Sequence, residues 1–357
     1  MKVNGKDYLS VAFNNAENCI DVIDQQILPF YFKVIKLYNA DEAVKAISDM
    51  TVRGAPAIGI LAAWGSRMAV KDFYGKPELL AMKFNNLLEC RPTAVNLAKG
   101  TNAVKSCLQP GYSYEQALDA ATVAAKNFSD NEITACKIIG ENGLTLIENI
   151  FNKSKNTVNI LTHCNAGWLA CGDWGTALSP VFAAHRKGIP VHVWVDETRP
   201  RNQGANLTAW ELFNEGIDFT IIPDNSGGLL MMQSEVDIVI TGADRIAANG
   251  DTANKTGTYL KALAASDNNI PFYIAAPSST FDFNLTKGVG NIPIEIRNSN
   301  EICLMKGIRD NKYEEFRIIP NEFHALNHAF DITPARLING YITEKGIFNA
   351  DQLINLL

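Results

Sequence analysis

The second half of the chain alternates short apolar runs, rich in β-branched and aromatic residues, with segments of helical pattern. The runs are VNILT (158–162), PVHVWV (190–195), DFTIIP (218–223), VDIVIT (236–241) and PFYIAA (271–276). Between most of them lie the helical segments 175–188, 206–216, 227–235 and 256–268. Strands that alternate with helices indicate βαβ units. Because the runs are almost continuously apolar, they predict the parallel strands of a doubly wound sheet buried on both faces.

In the first half of the chain the apolar residues are spaced differently. Alternating residues around 28–37 predict a small sheet, and from 41 to about 152 apolar residues recur at the three-to-four spacing of amphipathic helices. Two of these helical segments, 113–128 and 133–151, are separated by a short polar stretch. The rhythm changes at the polar residues NKSKN (152–156). We therefore predict an N-terminal domain of helices and a small sheet, residues 1–152, and a parallel-sheet domain, residues 153–357.

Composition and charge restrict the class of protein. The chain has 357 residues and a net charge of −6. A nucleic-acid binder normally carries a basic surface, so we expect no nucleic-acid partner. We expect no membrane association either, because no apolar run is long enough for a span and no signal peptide is visible. The seven cysteines are scattered without a CxxC pair, which favours a reducing cytoplasm over a secreted disulfide framework.

The common cofactor motifs do not occur in the sequence. No GxGxxG follows a predicted strand, and neither GxxxxGK[ST] nor HExxH is present. We therefore expect no nicotinamide, no nucleotide cofactor and no metal ion. GxSxG is also absent, so the sequence does not support an α/β-hydrolase.

Polar or glycine-rich residues follow each of the five predicted strands. They are the segments 163–167, 196–200, 224–228, 242–245 and 277–279. Ligands of open α/β sheets bind just beyond the carboxyl ends of the strands. The pattern therefore predicts a single active-site crevice along this edge of the sheet.

Two residues of these segments are candidates for catalysis. Cys164 follows the first strand, where a helix N-terminus or a cation would favour its thiolate. Asp244 follows the fourth strand, where burial would suit it to proton donation. The alternatives are a small buried hydrophobe for Cys164 and a helix cap or an ion-pair partner of Arg245 for Asp244. Cys171 has no comparable placement, and we expect it to serve packing.

The segment around Arg53 is a candidate anion site. Arg53 stands beside two small residues, Gly54 and Ala55, just ahead of a proline that is typical of a helix start. A phosphate could approach the backbone closely there and meet the N-terminus of the helix.

Two further cationic positions also stand just ahead of predicted helices and are candidate anion sites. Arg91 precedes Pro92–Thr93 ahead of a predicted helix, and Asn254 and Lys255 precede the helical segment 256–268. Arginine is suited to bidentate phosphate contacts. For each of these cations an ordinary solvated surface charge is the alternative.

Seven segments together resemble the methylthioribose-1-phosphate isomerase family, which shares its fold with the α, β and δ regulatory subunits of translation initiation factor 2B. They are VRGAPAIG (52–59), RPTAVNL (91–97), HCNAG (163–167), WGTAL (174–178), VDETRPRNQGANLTAWEL (195–212), TGADRIAANGDTANKTGTYLKALAA (241–265) and AFDITPARLINGYITEKG (329–346). The resemblance implies an α/β fold and a homodimer. The C-terminal domain would be a Rossmann-like parallel-sheet domain, and the smaller N-terminal domain would be mainly helical with a short β-sheet.

The resemblance also implies roles for individual residues. Cys164 in HCNAG and Asp244 in GADR match the catalytic cysteine and aspartate of the family. The substrate-binding positions of the family correspond to Arg53, Gly54, Ala55, Arg91, Gln203, Asn254 and Lys255.

The implied activity is the conversion of the aldose 5-methylthioribose 1-phosphate into its ketose, without a cofactor, in methionine salvage. Isomerases of 5-deoxyribose 1-phosphate or ribose 1,5-bisphosphate are the alternative enzymes. A noncatalytic regulatory subunit is the alternative of another class. The tryptophans Trp168, Trp174 and Trp210 are candidates for an apolar wall around the methylthio group, with core packing as their alternative.

Overall fold

The N-terminal part of the computed structural model combines small sheets with helices. The structure describes residues 1–91 and 95–356. Pro92 and Thr93, which follow the candidate Arg91 in the sequence, therefore lie outside the described residues. The elements are β1 Lys2–Val3, β2 Lys6–Asp7, β3 Val11–Asn14, β4 Cys19–Ile23, β5 Val34–Leu37, α1 Ala40–Ser48, α2 Ala55–Phe73, α3 Pro77–Glu89, α4 Val95–Lys105 and α5 Tyr114–Ser154. The predicted small sheet is present, but β3 and β4 precede the alternating stretch at 28–37.

Helix α5 corrects the prediction of two separate helices at 113–128 and 133–151. A capping box between Ser113 and Gln116 starts it, and it continues without a break for 41 residues. The polar stretch 129–132 contains neither glycine nor proline that would end a helix. Its last residue, Glu132, is buried and accepts a hydrogen bond from the Ser279 hydroxyl at 3.1 Å. A polar residue inside a helix therefore indicated a contact with another element rather than a boundary.

The C-terminal part begins at β6 and supplies the large sheet. Its elements are β6 Val158–Thr162, α6 Ser179–Arg186, β7 Val191–Asp196, α7 Ala209–Glu215, β8 Asp218–Ile222, α8 Gly227–Met232, β9 Ile238–Thr241, β10 Arg245–Ala247, β11 Thr252–Lys255, α9 Thr258–Asp267, β12 Phe272–Ala275, β13 Phe281–Asp282, β14 Ile296–Arg297, α10 Asn300–Cys303, β15 Leu304–Arg309, β16 Lys312–Arg317, β17 Asn327–His328, β18 Phe330–Thr333, β19 Gly340–Thr343 and β20 Gly346–Phe348. The division at residues 152 and 153 stays a prediction.

The large sheet has seven strands in the order β20-β19-β12-β9-β6-β7-β8. All five strands predicted from the sequence belong to it, and they pair in parallel. Strand β19 adds a parallel strand and β20 an antiparallel edge, and the apolar runs did not reveal either. The predicted α/β fold with a Rossmann-like C-terminal domain is confirmed. The carboxyl end of β6 lies between those of β7 and β9.

A second sheet and a β-hairpin bring further residues to the carboxyl edge of the large sheet. Strands β13, β10, β11 and β18 form a second sheet, in which β11 runs antiparallel to β10. Asn254 and Lys255 are the last residues of β11, a strand that the sequence had not predicted. The hairpin of β15 and β16 reaches the N-terminal part, where the Tyr313 hydroxyl donates to the carbonyl oxygen of Gln26 at 2.7 Å.

Within the described ranges, none of the helices has both the length and the apolar character that crossing a membrane requires.

The contact between α5 and α6 requires glycine in α5. An added Cβ at Gly143 would lie 2.4 Å from Cγ of Pro180. We expect Gly143→Ala to lower the free energy of unfolding by about 1–3 kcal/mol, because the proline and the helix backbone must move apart. Urea denaturation measures this difference.

Gly228→Ala in α8 is the matched control. Its Cβ would meet nothing closer than Cβ of Ala264, at 3.6 Å, and alanine favours a helix. We expect this variant to keep or slightly raise the stability. Equal destabilisation by both substitutions would contradict the close packing of α5 on α6.

Candidate active site

A small pocket opens at the carboxyl edge of the large sheet. Its walls come from the segments that follow β6 and β9, from β11, from the loop after β12 and from the start of α2. We call it the inner pocket. Among the predicted site residues, the inner pocket brings together Arg53, Gly54, Ala55, Cys164, Asp244 and Asn254. Of the five segments predicted to form one crevice, those after β6, β9 and β12 line the inner pocket, whereas 196–200 and 224–228 do not, and residues of the N-terminal part complete the pocket.

A larger cleft of ≈ 270 Å³, the outer cleft, lies next to the inner pocket, and Arg53 lines both. Gln203 lies in the wall of the outer cleft and is only 3% exposed. Among the described residues its Oε1 has no hydrogen-bond partner. Buried polar atoms in proteins are normally paired, so this amide is suited to receive a hydroxyl of a ligand.

The backbone at Cys164 is held in an uncommon conformation. Its φ angle is 67°, in the left-handed region that non-glycine residues seldom adopt. The Cys164 N–H donates to Oγ1 of Thr198 at 2.8 Å, and its carbonyl oxygen accepts from Oγ1 of Thr208 at 2.8 Å. These bonds fix the thiol in the wall of the inner pocket, 3.9 Å from Nη2 of Arg53.

The carboxyl group of Asp244 lies in the same pocket. Burial raises its pKa above the ordinary value, while the charges of Lys255, Arg91 and Arg53 act in the opposite direction. Desolvation disfavours the carboxylate, so the pocket favours the protonated acid. The environment of Asp244 thus fits the proton donor that the sequence predicted.

Lys255 and Arg91 surround the pocket with positive charge although neither forms its wall. Burial lowers the pKa of Lys255, and negative charge on Cys164 or Asp244 opposes that shift. Burial also lowers the pKa of Arg91, whose guanidinium lies 3.7 Å from the Glu295 carboxylate. Both cations therefore act on the charge state of the site.

The N-terminus of α2 supplies the predicted anion site. Gly54 precedes the helix with a φ of 95°, and an added Cβ would lie 2.4 Å from Cβ of Ala170. Glycine at position 54 therefore lets the start of α2 pack against Ala170, and Gly54, Ala55 and Pro56 line the inner pocket. A helix N-terminus beside Arg53 is a suitable site for a phosphate.

Two residues next to Cys164 in the sequence were not predicted to belong to the site. Asn165 accepts hydrogen bonds from Arg53 through its Oδ1 at 2.5 Å and its backbone carbonyl at 2.9 Å. Nδ1 of His163 lies 2.8 Å from Oδ2 of Asp196, and its Nε2 lies 2.9 Å from the carbonyl oxygen of Thr256. Both residues follow the end of β6, which was the available signal. The sequence analysis considered histidine only as a metal ligand, through the HExxH motif.

Glu211 is a third functional residue that sequence reasoning missed. It lies in the helical segment 206–216, which the sequence analysis treated only as a helix between two strands. Its side chain is completely buried below the segment that carries Cys164. Burial raises the pKa of Glu211 to about 7, although hydrogen bonds from Asn165, Leu169 and Trp168 act against this shift.

One acidic group near the pocket has the spacing of a metal site. Ligand atoms of His163, Asp196 and Asp224 lie within 4.8 Å of one another. However, Nζ of Lys261 lies 3.2 Å from Oδ2 of Asp196 and donates to the backbone carbonyl of Asp224. Because this ammonium already supplies the balancing positive charge, the donor set does not fit an additional divalent cation.

The three candidate tryptophans lie elsewhere. Trp168 is completely buried in the core against Trp210. Trp174 stacks under the guanidinium of Arg186, at 4.3 Å. In the part of the chain that the structure describes, none of the three lines the inner pocket or the outer cleft. Core packing, the alternative given above, is therefore the better description of Trp168.

Comparison with known proteins shows the family of the chain. Residues 50–350 match the Initiation factor 2 subunit family. The methylthioribose-1-phosphate isomerase of Desulfatibacillum aliphaticivorans is 48% identical over 357 residues, covering 99% of this chain and 97% of that protein. That of Sulfurimonas denitrificans is 50% identical over 337 residues, covering 94% and 93%.

Solved structures extend the comparison to the fold. The 5-methylthioribose 1-phosphate isomerase of Pyrococcus horikoshii OT3 has a TM-score of 0.84 at 34% identity, covering 99% of this chain and 97% of that one. The chain belongs to the initiation factor 2 subunit family, in its methylthioribose-1-phosphate isomerase branch. The resemblance found in the sequence segments is confirmed.

A substitution at Gly54 tests the anion site. We expect Gly54→Ala to destabilise the fold by about 1–3 kcal/mol, because it adds both backbone strain and a clash with Ala170. We also expect it to remove the stabilisation that added inorganic phosphate gives to the wild type. Thermal unfolding with and without phosphate measures both effects.

Gly75→Ala is the control for backbone strain alone. Gly75 has a φ of 87°, and its Cβ would meet nothing within 4 Å. This variant should lose some stability but keep the response to phosphate. A normal phosphate response in Gly54→Ala would show that the anion does not bind at the start of α2.

Proposed function

We propose that the protein is an aldose–ketose isomerase that converts 5-methylthioribose 1-phosphate into 5-methylthioribulose 1-phosphate, a step of methionine salvage. The observation that carries the proposal is that the Cys164 thiol and the Asp244 carboxyl group line one pocket with Arg53 and the start of α2. A base, an acid and an anion site are the groups that isomerisation of a sugar phosphate requires. The proposed reaction uses no metal and no nucleotide cofactor.

We propose that the phosphate binds between Arg53 and the backbone N–H groups at Gly54 and Ala55. Arg91 and Lys255 would add positive charge behind these groups. Gln203 and Asn254 are suited to the sugar hydroxyls, because both are buried amides in the walls of the site. Binding the phosphate at one end leaves the sugar carbons beside Cys164 and Asp244.

The phosphate at C1 prevents simple opening of the ring to a free aldehyde. In the proposed mechanism, protonated Asp244 donates its proton to the ring oxygen as the bond from C1 to that oxygen breaks. The thiolate of Cys164 removes the proton at C2, and the electron pair of that bond forms a C1–C2 double bond. The thiol then protonates C1 while the Asp244 carboxylate takes the hydroxyl proton at C2, which leaves the ketone and restores both residues.

A hydride shift from C2 to C1 is the competing route. In that case Asp244 still opens the ring, and Cys164 stabilises the charge that develops nearby. The two routes differ in whether solvent hydrogen reaches C1.

The outer cleft favours a neutral substituent at C5 over a second phosphate. Its wall includes the apolar side chains of Met50, Leu207, Leu304 and Met305. Nη1 of Arg201 lies 2.9 Å from a carboxylate oxygen of Glu301, and Glu315 also lines the cleft. Because a 5-phosphate would have to compete with these carboxylates, ribose 1,5-bisphosphate is the less suitable substrate.

A noncatalytic role is the second candidate. The translation initiation factor eIF-2B subunit delta from A. fulgidus has a TM-score of 0.79 at 34% identity, covering 98% of each chain. Fold similarity alone does not assign catalysis. The Cys164 and Asp244 arrangement supports the enzyme instead.

We further propose a cytoplasmic homodimer that binds no nucleic acid. The net charge of −6 supports the last point. Exposed apolar side chains on α8 and α9, Leu229, Met232 and Leu260, support burial against another copy.

Parallel NMR assays test the activity and the substrate. Purified protein receives 5-methylthioribose 1-phosphate, 5-deoxyribose 1-phosphate or ribose 1,5-bisphosphate without added metal. We expect ketose from the methylthio sugar at a clearly higher kcat/KM, and deuterium from D₂O at C1 if Cys164 transfers a proton. Lack of turnover of all three sugars would contradict the enzyme and support a regulatory subunit.

Substitution of the catalytic pair tests the mechanism. We expect Cys164→Ala and Asp244→Asn each to reduce kcat by at least about 10²-fold. Inorganic phosphate, measured by calorimetry, should bind both variants nearly as well as wild type, because the anion site remains. Cys171→Ala is the matched control, since Cys171 is a buried cysteine in the same wall that has no proposed chemical role. A near wild-type rate in Cys164→Ala or Asp244→Asn would remove that residue from the mechanism.

A further inference from the structure

The carboxylate of Glu211 is enclosed by the segment that carries Cys164. Its Oε1 accepts from Nδ2 of Asn165 at 2.9 Å and from the backbone N–H of Leu169 at 3.1 Å. Its Oε2 accepts from the backbone N–H of Trp168 at 2.9 Å. Gly167 allows this approach, because an added Cβ there would lie only 1.7 Å from Oε2.

These contacts determine which way the Asn165 amide faces. Both oxygens of Glu211 accept a backbone N–H, and Arg53 on the other side of Asn165 can only donate, so the NH₂ group of Asn165 points toward Glu211. The amide oxygen of Asn165 then points to the opposite side, where it accepts from Nη1 of Arg53. The backbone carbonyl of Asn165 accepts from Nη2 and fixes the plane of the guanidinium.

We propose that Glu211 is a positioning residue that holds Arg53 in its phosphate-binding orientation through Asn165. Glu211 itself lies behind the pocket wall and touches no substrate. The proposal rests on the function proposed above, in which Arg53 binds the phosphate. Its physical basis is that a charged acceptor buried among N–H donors orders the polar groups around it before the ligand arrives.

Loss of the charge at Glu211 would disturb this arrangement. In Glu211→Gln the NH₂ group of the new amide faces either the backbone N–H of Trp168 or that of Leu169 together with the NH₂ group of Asn165, so in both orientations donors oppose donors and the charge that holds Asn165 is lost. The side-chain oxygen of Asn165 is then no longer held toward Arg53, and the guanidinium keeps only the backbone carbonyl of Asn165 as a fixed acceptor. The expected defect is therefore in binding the phosphate rather than in the chemical step.

The variant Glu211→Gln tests the proposal by two readouts. We expect KM for 5-methylthioribose 1-phosphate to rise about tenfold while kcat changes by less than about threefold, since one charge-assisted contact is lost. The Kd for inorganic sulfate, measured by calorimetry, should rise by a similar factor. Glu215→Gln, on the same helix and paired with Arg186 at 3.3 Å, is the control and should leave both quantities unchanged.

The sulfate titration separates this proposal from the proposed activity. If the wild type binds sulfate but turns over no sugar phosphate, the activity is wrong, and the Kd comparison still tests Glu211. A folded Glu211→Gln variant with wild-type sulfate affinity would overturn the role of Glu211. A loss of kcat at unchanged KM would also overturn it.

Asn165→Ala keeps the proposal testable if Glu211→Gln does not fold. This variant leaves the carboxylate with its two backbone donors and leaves the backbone carbonyl of residue 165 on Arg53. It removes the side-chain amide, with its contacts to Arg53, Glu211 and Oγ1 of Thr208. We expect it to weaken sulfate binding as Glu211→Gln does, and the double variant should be no weaker than Asn165→Ala alone. Additive losses, or normal sulfate binding by Asn165→Ala, would contradict a connection through Asn165.

Discussion

The hydrogen bonds from Arg53 to Asn165 are the interaction on which the organisation of the site depends. They join residues 112 positions apart, one ahead of α2 and one after β6. Gly54 can lie against Ala170 only because it lacks a side chain, so the start of α2 reaches the carboxyl edge of the large sheet. The sheet alone would present a row of polar strand ends. The added helix N-terminus and guanidinium convert that row into a pocket that can hold an anion beside Cys164.

Burial and charge act in opposite directions within this pocket. Desolvation raises the pKa of Asp244 and lowers that of Lys255, so it moves both groups toward their neutral forms, while their mutual attraction opposes it. A bound phosphate changes this balance, because negative charge favours the protonated acid and the protonated amine alike. The same anion would therefore keep the proton on Asp244 for donation and restore the charge of Lys255. In the proposed mechanism, phosphate binding would thus favour the protonated state of Asp244 that donates to the ring oxygen.

The sequence was informative where a local pattern has one structural meaning. Each predicted parallel strand was found, and the polar residues after them led directly to Cys164 and Asp244. Local sequence patterns did not predict the structure correctly where contacts between distant parts of the chain determine it. The helix α5 continues through a polar stretch because Glu132 meets Ser279, and Asn254 lies in a short strand that only its pairing partners define. Glu211 was missed for the same reason, since only the folded chain brings the segment after β6 around its carboxylate.

The two similar structures explain why catalysis must be argued from side chains. An isomerase and an initiation factor subunit are both 34% identical to this chain, and their TM-scores differ by little, at 0.84 and 0.79. The shared framework therefore does not by itself distinguish the two classes. Isomerisation requires in addition an acid and a base on either side of the bound sugar. Asp244 and Cys164 line one pocket and take these roles in the proposed mechanism, and because the segment after β6 also carries Asn165, a single loop would connect the proposed base with the residue that orients Arg53.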